Sequence, residues 1–279
     1  MFLADLQRRH PRWDLAISVA LLALSLPVGL LAQTAAPRPP TNVRLTNGSG
    51  SAAFNGSDPF DGPLDTTNWA ILDREGDLSN SELECYKPAN QTVSSGLLQL
   101  TIKQQAVSCN GHSYGYTSSM VQWRSFSFTY GSIEVRAKLA GGTGPWPAVW
   151  LLGANCQSTN LASADDSGPC VWPKPGSDEI DIAEIYDNGR SDVNQQIHSG
   201  SGNPGCKATV SDTSQNYHVY RFEWAPGSAT WKIDGAQTCH VSSGVPTTPM
   251  FLILNVAAHG TVGGLPQTML VDYVTVSQP

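Results

Sequence analysis

The chain has 279 residues, enough for one large folded domain or two small ones. Charged residues make up only 14% and the formal net charge is −7, with no basic cluster in the body of the chain, which argues against nucleic acid as a partner. Gly, Pro, Ser, Thr and Asn abound and no long amphipathic helical pattern competes, so short strands joined by turns are expected.

The first 36 residues read as an export signal. Arg8, Arg9 and Arg12 precede an apolar run from Leu15 to Ala32, and small residues follow through Ala36. A run of this length borders on a membrane span, so a signal anchor is the alternative reading. Pro27 and Gly29 near its end favour cleavage, leaving a secreted or extracytoplasmic product with no membrane attachment. All six cysteines (Cys85, Cys109, Cys156, Cys170, Cys206 and Cys239) follow this segment, and an even number in an exported chain implies three disulfides. Pairing of sequence neighbours, 85 with 109, 156 with 170 and 206 with 239, is the expectation among the many connectivities six cysteines allow. No Cys-x-x-Cys pair or His-rich cluster offers a zinc site.

Residues 37–57 are rich in Pro, Thr, Asn, Gly and Ser without apolar periodicity, the composition of a linker. The folded domain is expected over 58–279, opening at Phe60-Asp61-Gly62. Strand-like runs recur at 96–102, 132–138, 148–152, 179–185, 218–224, 230–233, 251–256 and 269–276, each bounded by turn signals. They predict an all-β sandwich of two large antiparallel sheets.

Within this series, Asp178-Glu179-Ile180-Asp181-Ile182-Ala183-Glu184-Ile185 stands apart. Acidic residues alternate with Ile, as in a strand with one apolar and one acidic face. Carboxylates gathered on one face repel one another, so a purely structural strand gains nothing from them; a solvated edge strand is the plain alternative. Cleavage of a glycosidic bond does require one ionised and one protonated carboxyl flanking that bond. Glu179 and Asp181 share a face by the strand period, but Glu184 is five residues from Glu179 and should point the other way. A single bulged residue, Ile182 or Ala183, would return Glu184 to the same side.

Six ordered matches then resemble glycoside hydrolase family 16. They are Asn80-Ser81-Glu82-Leu83-Glu84-Cys85-Tyr86, Tyr130-Gly131-Ser132-Ile133-Glu134-Val135-Arg136-Ala137-Lys138, Gly144-Pro145-Trp146-Pro147-Ala148-Val149-Trp150-Leu151-Leu152, Trp172-Pro173 with Glu179 to Glu184, Trp231-Lys232-Ile233-Asp234-Gly235, and Ile253-Leu254-Asn255 with Val271-Asp272-Tyr273-Val274. The Glu-x-Asp-x-x-Glu spacing is similar to the laminarinase-like, endo-β-1,3-glucanase branch. What the resemblance implies is a concanavalin A-like β-jelly-roll sandwich with a sugar cleft on its concave face, and retaining hydrolysis of a β-glucan. Glu179 would be the nucleophile, Glu184 the acid/base, and Asp181 a partner of Glu179.

The resemblance further implies substrate contacts by Trp146 and Trp172, by Arg136, by Asn90 and Asn255, and by His198. Each has a plainer alternative: core packing for the tryptophans, an ion pair with Glu134 or another acid for Arg136, turn formation for the asparagines, a structural role for His198. Trp150, inside an aliphatic run, is expected in the core. Asp272 matches a carboxylate that holds a structural calcium on the convex face of many relatives, although one Asp is a small part of the six to eight oxygens calcium takes. No cofactor is implied for catalysis, the partner is a polysaccharide, and a monomer is expected. The segment 155–174 is longer than the family minimum and would wall one end of the cleft. Ala257-Ala258-His259-Gly260 carries small residues where relatives are bulkier. A sugar-binding protein without catalysis and a transglycosylase are the competing functions. The intact acidic trio argues against the first, and lengthened products would reveal the second.

Overall fold

The computed structural model describes residues 55–124, 126–157, 169–186 and 188–279. The expected export segment and residues 37–54 of the expected linker lie outside these. The chain forms β1 (Asn55–Asp58), β2 (Trp69–Ile71), β3 (Arg74–Glu75), β4 (Glu84–Tyr86), β5 (Gln91–Ser94), β6 (Leu97–Cys109), β7 (His112–Ser118), β8 (Met120–Trp123) and β9 (Gly131–Lys138). It continues through β10 (Thr143–Gly153), β11 (Glu179–Glu184), β12 (Asp192–His198), β13 (Gly205–Thr209), β14 (His218–Ala225), β15 (Ser228–Ile233), β16 (Ala236–Val241), β17 (Met250–Gly263) and β18 (Gln267–Ser277). Among the described residues no helix is long and apolar enough to cross a membrane.

The strands make two sheets. The larger runs β16-β15-β14-β9-β18-β6-β7-β4-β3, with β1 added on β18 and β5 on β6; the smaller runs β13-β12-β11-β10-β17-β8-β2. Neighbours pair antiparallel except for β4 against β7. β1 begins inside the expected linker: Gly56 and Ser57 pair with Val276 and Thr275, so residues 55–57 belong to the folded body.

Alternation explains why the sheets stack. On β9, Ile133, Val135 and Ala137 are buried while Glu134, Arg136 and Lys138 between them are not, a period of two that leaves one face apolar. Tyr220, Phe222 and Trp224 of β14 and Trp231 of β15 extend this layer. Val149, Leu151, Ile180, Ile197, Leu252 and Leu254 of the smaller sheet join the same core. β17 is buried on both faces from Met250 to Ala258: on its second face Phe251 and Ile253 pack in the hydrophobic core and Asn255 lines the cleft. Two hairpins close on the residues their geometry demands. Asn110-Gly111 and Asp234-Gly235 sit at φ 49° and 86° and at φ 52° and 82°, where Asn, Asp and Gly are least strained.

All three disulfides pair as expected, Cys85 with Cys109, Cys156 with Cys170 and Cys206 with Cys239. The last joins β13 to β16, the edge strands of the two sheets. Cys156–Cys170 closes the base of the long segment that precedes β11.

Candidate active site

The register of β11 is set by both of its neighbours. Against β10, Glu179 faces Leu152, Ile180 faces Leu151, Asp181 faces Trp150, Ala183 faces Val149 and Glu184 faces Ala148. Trp150 and Val149 are consecutive but Asp181 and Ala183 are not, so Ile182 is the extra residue. Against β12, Asp181 faces Gln196 and Glu184 faces Asn194, three steps answered by two. This is the β-bulge that the residue count demands. Ile180 is fully buried in the core, and burying it contributes roughly 1.5–3 kcal/mol. Glu179 and Glu184 line one cleft, with Asp181 beside them at 2% exposure.

Each glutamate takes a hydrogen bond from an indole. Trp172 Nε1 donates to Glu179 Oε2 at 2.9 Å, and Trp146 Nε1 donates to Glu184 Oε1 at 2.7 Å. Asp181 hydrogen-bonds to Glu179, and His198 Nε2 stands 3.3 Å from Asp181 Oδ2 and 3.8 Å from Glu179 Oε1. Burial pushes all three carboxyls up, Glu179 and Asp181 well above the usual range; the charge of Asp181 adds to the push on Glu179, and that of Glu184 to the push on Asp181. Three close carboxyls cannot all ionise cheaply, so the cluster keeps a proton and titrates as a unit.

The cleft holds about 410 Å³. One wall carries Trp172, 45% exposed, with Cys156 and Cys170, so the two ends of the 155–174 segment border the cleft, while 158–168 lie outside the described residues. The other carries Trp146 with Tyr186 and His259 edge-on to its ring at 6.1 and 6.0 Å. Flat, partly exposed rings of this kind suit the C–H faces of sugars. Asn255 lines the cleft, with its amide bonded to Trp150 and Tyr86. Trp150 does not follow its expectation: its ring lines the cleft and its Nε1 donates to Asn255 Oδ1 at 2.8 Å. Its neighbours Val149 and Leu151 take the core side, so the aliphatic run around it is one strand seen from two faces. Tyr86, Glu82, Arg74, Tyr186 and His259 also line the cleft and were not singled out from sequence. The acidic alternation Glu82-Leu83-Glu84 was a usable signal, whereas nothing local marks Tyr186 or His259.

Three expected site residues lie elsewhere. Arg136 is on the outer face of the larger sheet, bonded through Nη1 to Asp272 Oδ2 at 2.6 Å and stacked on Tyr217 at 4.6 Å. Its alternation with Val135 and Ala137 aims it away from the core and, because β9 is in the other sheet, away from the cleft. The plainer ion-pair reading holds, with Asp272 rather than Glu134 as partner. Asn90 is buried behind β6, where its Nδ2 donates to Thr101 O at 3.1 Å and Thr117 Oγ1 at 3.0 Å, a structural role. Asp272 does not suit calcium, since a guanidinium already neutralises its carboxylate and the Tyr217 ring packs on that guanidinium. Among the described residues the group with metal-ligand spacing is Glu179, Asp181 and His198, the cluster already described.

A family model, glycosyl hydrolases family 16, matches residues 79–274. The chain belongs to that family. Its relatives include the endo-1,3-1,4-beta-glycanase EglC of Rhizobium meliloti, 30% identical over 246 residues, 78% of this chain and 48% of the relative. The beta-glucanase of Rhodothermus marinus is 29% identical over 252 residues, 79% of this chain and 83% of the relative. The chain thus spans about half the length of the first and most of the second. Among solved structures, the laminarinase catalytic domain of Thermotoga maritima has a TM-score of 0.70 at 30% identity, covering 80% of this chain and 96% of that one. A LamA variant of Zobellia galactanivorans, in complex with laminaritriose and laminaritetraose, has a TM-score of 0.71 at 29% identity, covering 82% and 99%. These likenesses bear out the two-sheet jelly roll.

Proposed function

We propose that this chain is an exported, retaining endo-β-glucanase that cuts β-1,3 linkages in laminarin-like or mixed-linkage glucan. The observation that carries the reading is the bulge at Ile182, which turns Glu184 to the side of Glu179 and so assembles two carboxyls over one cleft. The relatives named as glucanases and the neighbour holding laminari-oligosaccharides support the substrate class. Export is supported by the basic-then-apolar start of the chain and by three disulfides, bonds that persist in oxidising compartments.

The chemistry follows from the two carboxyls. Glu179, ionised, attacks the anomeric carbon while Glu184, protonated, gives its proton to the departing glycosidic oxygen. A covalent glycosyl-enzyme forms, and Glu184, now a carboxylate, takes a proton from the water that releases the sugar. Asp181 keeps the cluster's proton close at hand, because its charge makes full ionisation costly. The indole donors hold each glutamate by one oxygen and leave the other for the reaction. The scheme needs water and carboxyl groups only.

Incubating the chain with laminarin, lichenan, agarose, carrageenan and xyloglucan, and measuring reducing ends, tests the substrate class. Glu179→Ala should abolish cleavage with substrate still bound. Glu184→Ala should fail on glucan yet retain attack on a substrate whose leaving group needs no proton. NMR of early products should show the β-anomer first. Full laminarin cleavage by a folded Glu179→Ala chain, or an initial α-anomer, would refute the mechanism.

A further inference from the structure

On the β17 side of the catalytic cluster lies a second carboxyl pair that the reaction does not use. Glu82 lines the cleft and Glu84 is wholly buried behind it. The two are hydrogen-bonded to each other, and a bond between two carboxyl groups contains one proton. Their surroundings decide who carries it. Glu84, wholly buried, accepts the Ala258 N–H on Oε2 at 2.7 Å and is within hydrogen-bond reach of the Tyr86 hydroxyl. Glu82 Oε2 accepts the Asp77 N–H at 2.9 Å and the Tyr86 hydroxyl at 3.3 Å; burial pushes this carboxyl up as well, but its side chain borders the cleft, and the Asp77 and Arg74 charges act on it in opposite directions. Glu84 is wholly buried while Glu82 borders the cleft, and burial disfavours charge, so Glu84 is the acid and Glu82 the carboxylate.

The donors that aim at the pair form a one-way chain. Trp150 Nε1 can only donate, so Asn255 must present Oδ1 to it, and Asn255 Nδ2 then donates to the Tyr86 oxygen at 3.0 Å. The Tyr86 proton is left to point at the carboxyl pair. Trp150, Asn255, Tyr86 and Glu82 all line the cleft, and each polar direction in that row is set by its neighbour. A carboxylate held at the end of such a row, beside Arg74, is an acceptor for hydroxyl groups and has no proton to transfer.

We infer that Glu82 accepts hydrogen bonds from sugar hydroxyls on the β17 side of the catalytic carboxyls, and that Glu84, holding the single proton of the pair, is the positioning residue that aims it. This rests on the glucan reading above. It makes the Glu82 end of the cleft a place where hydroxyl substituents are read, and where a sulfate or carboxylate on the sugar is repelled.

The test is calorimetric binding of β-1,3-linked glucotetraose to the full chain carrying Glu179→Ala, with the melting temperature recorded for each variant. Adding Glu82→Gln should weaken binding about tenfold, the size of one charge-assisted hydrogen bond, without lowering the melting temperature. Glu84→Leu should weaken binding comparably, and Glu84→Gln, which keeps a donor toward Glu82, should recover most of that loss. Unchanged affinity in Glu82→Gln overturns the inference, as does weaker binding in Glu84→Gln alongside parental affinity in Glu82→Gln. If Glu84→Leu does not fold, the two glutamine variants decide the matter between them. Laminarin cleavage by the unmutated chain is scored separately. Its absence, with no binding of the tetraose, overturns the glucan reading and this inference together.

Discussion

Trp146 and Trp172 both line the cleft, and each donates its indole N–H to a different glutamate. Burying Glu179 costs stability, although the Trp172 hydrogen bond offsets part of the cost. Its folded-state pKa is raised, first by burial and then by Asp181, so above the ordinary value of 4.5 the native state binds more protons than the unfolded one. Stability then falls as pH rises from that value through the folded one. Glu179→Gln, with no proton to lose, should raise the melting temperature at neutral pH by roughly 2–4 °C for each kcal/mol recovered. The gain should vanish in scans below the ordinary glutamate range. Arg136 makes the opposite case. Arg136→Ala leaves the Asp272 carboxylate without its guanidinium and should destabilise the protein by about 3 kcal/mol. Because Arg136 lies outside the cleft, KM for laminarin should stay unchanged; a raised KM in the folded variant would return it to the substrate.

At the scale of the element, β11 depends on a count. Six residues with a regular pleat would put Glu179 and Glu184 on opposite faces, one in the cleft and one in the core. Ile182, the extra residue, removes that conflict, and the consecutive Trp150 and Val149 opposite it keep β10 unbroken. Inserting an alanine after Ala183 adds a step that β12 and β10 cannot absorb, and laminarin cleavage should be lost although the fold survives by circular dichroism. Deleting Ala183 yields Glu-x-Asp-x-Glu and should leave residual activity, since a flat strand also sets both glutamates on one face. Equal activity in the insertion and the parent would contradict the need for this register.

Across the whole molecule, two large sheets share one core, and β16, at the edge of the larger, is tied to the β12–β13 edge of the smaller, where Thr238 Oγ1 donates to Gln195 Oε1 at 2.8 Å. Cys206–Cys239 joins them over a sequence separation of 33. Replacing both cysteines by serine should cost about 3–5 kcal/mol through the entropy regained by the unfolded chain, read as a lower denaturation midpoint. KM should change little, because neither cysteine of this bridge lines the cleft. The sequence alone determined the fold class, since a period of two marks strands wherever it recurs, and it determined the bulge, since parity along one strand needs no tertiary knowledge. The polar runs of β7, β13 and β16 escaped it, because strands with few buried residues carry little apolar periodicity. Alternation assigns a side chain to one of two faces but says nothing about which sheet the strand will join. Arg136 and Glu179 alternate with apolar neighbours in the same way, yet β9 lies in the larger sheet and β11 in the smaller, so one side chain meets Tyr217 and the other meets the cleft. Asn90 and Asn255, alike in sequence, part for the same reason: a turn buries one behind β6, and β17 carries the other to Tyr86 and Trp150. Which face of which sheet becomes the site is decided by long-range strand pairing, and only the folded chain contains it.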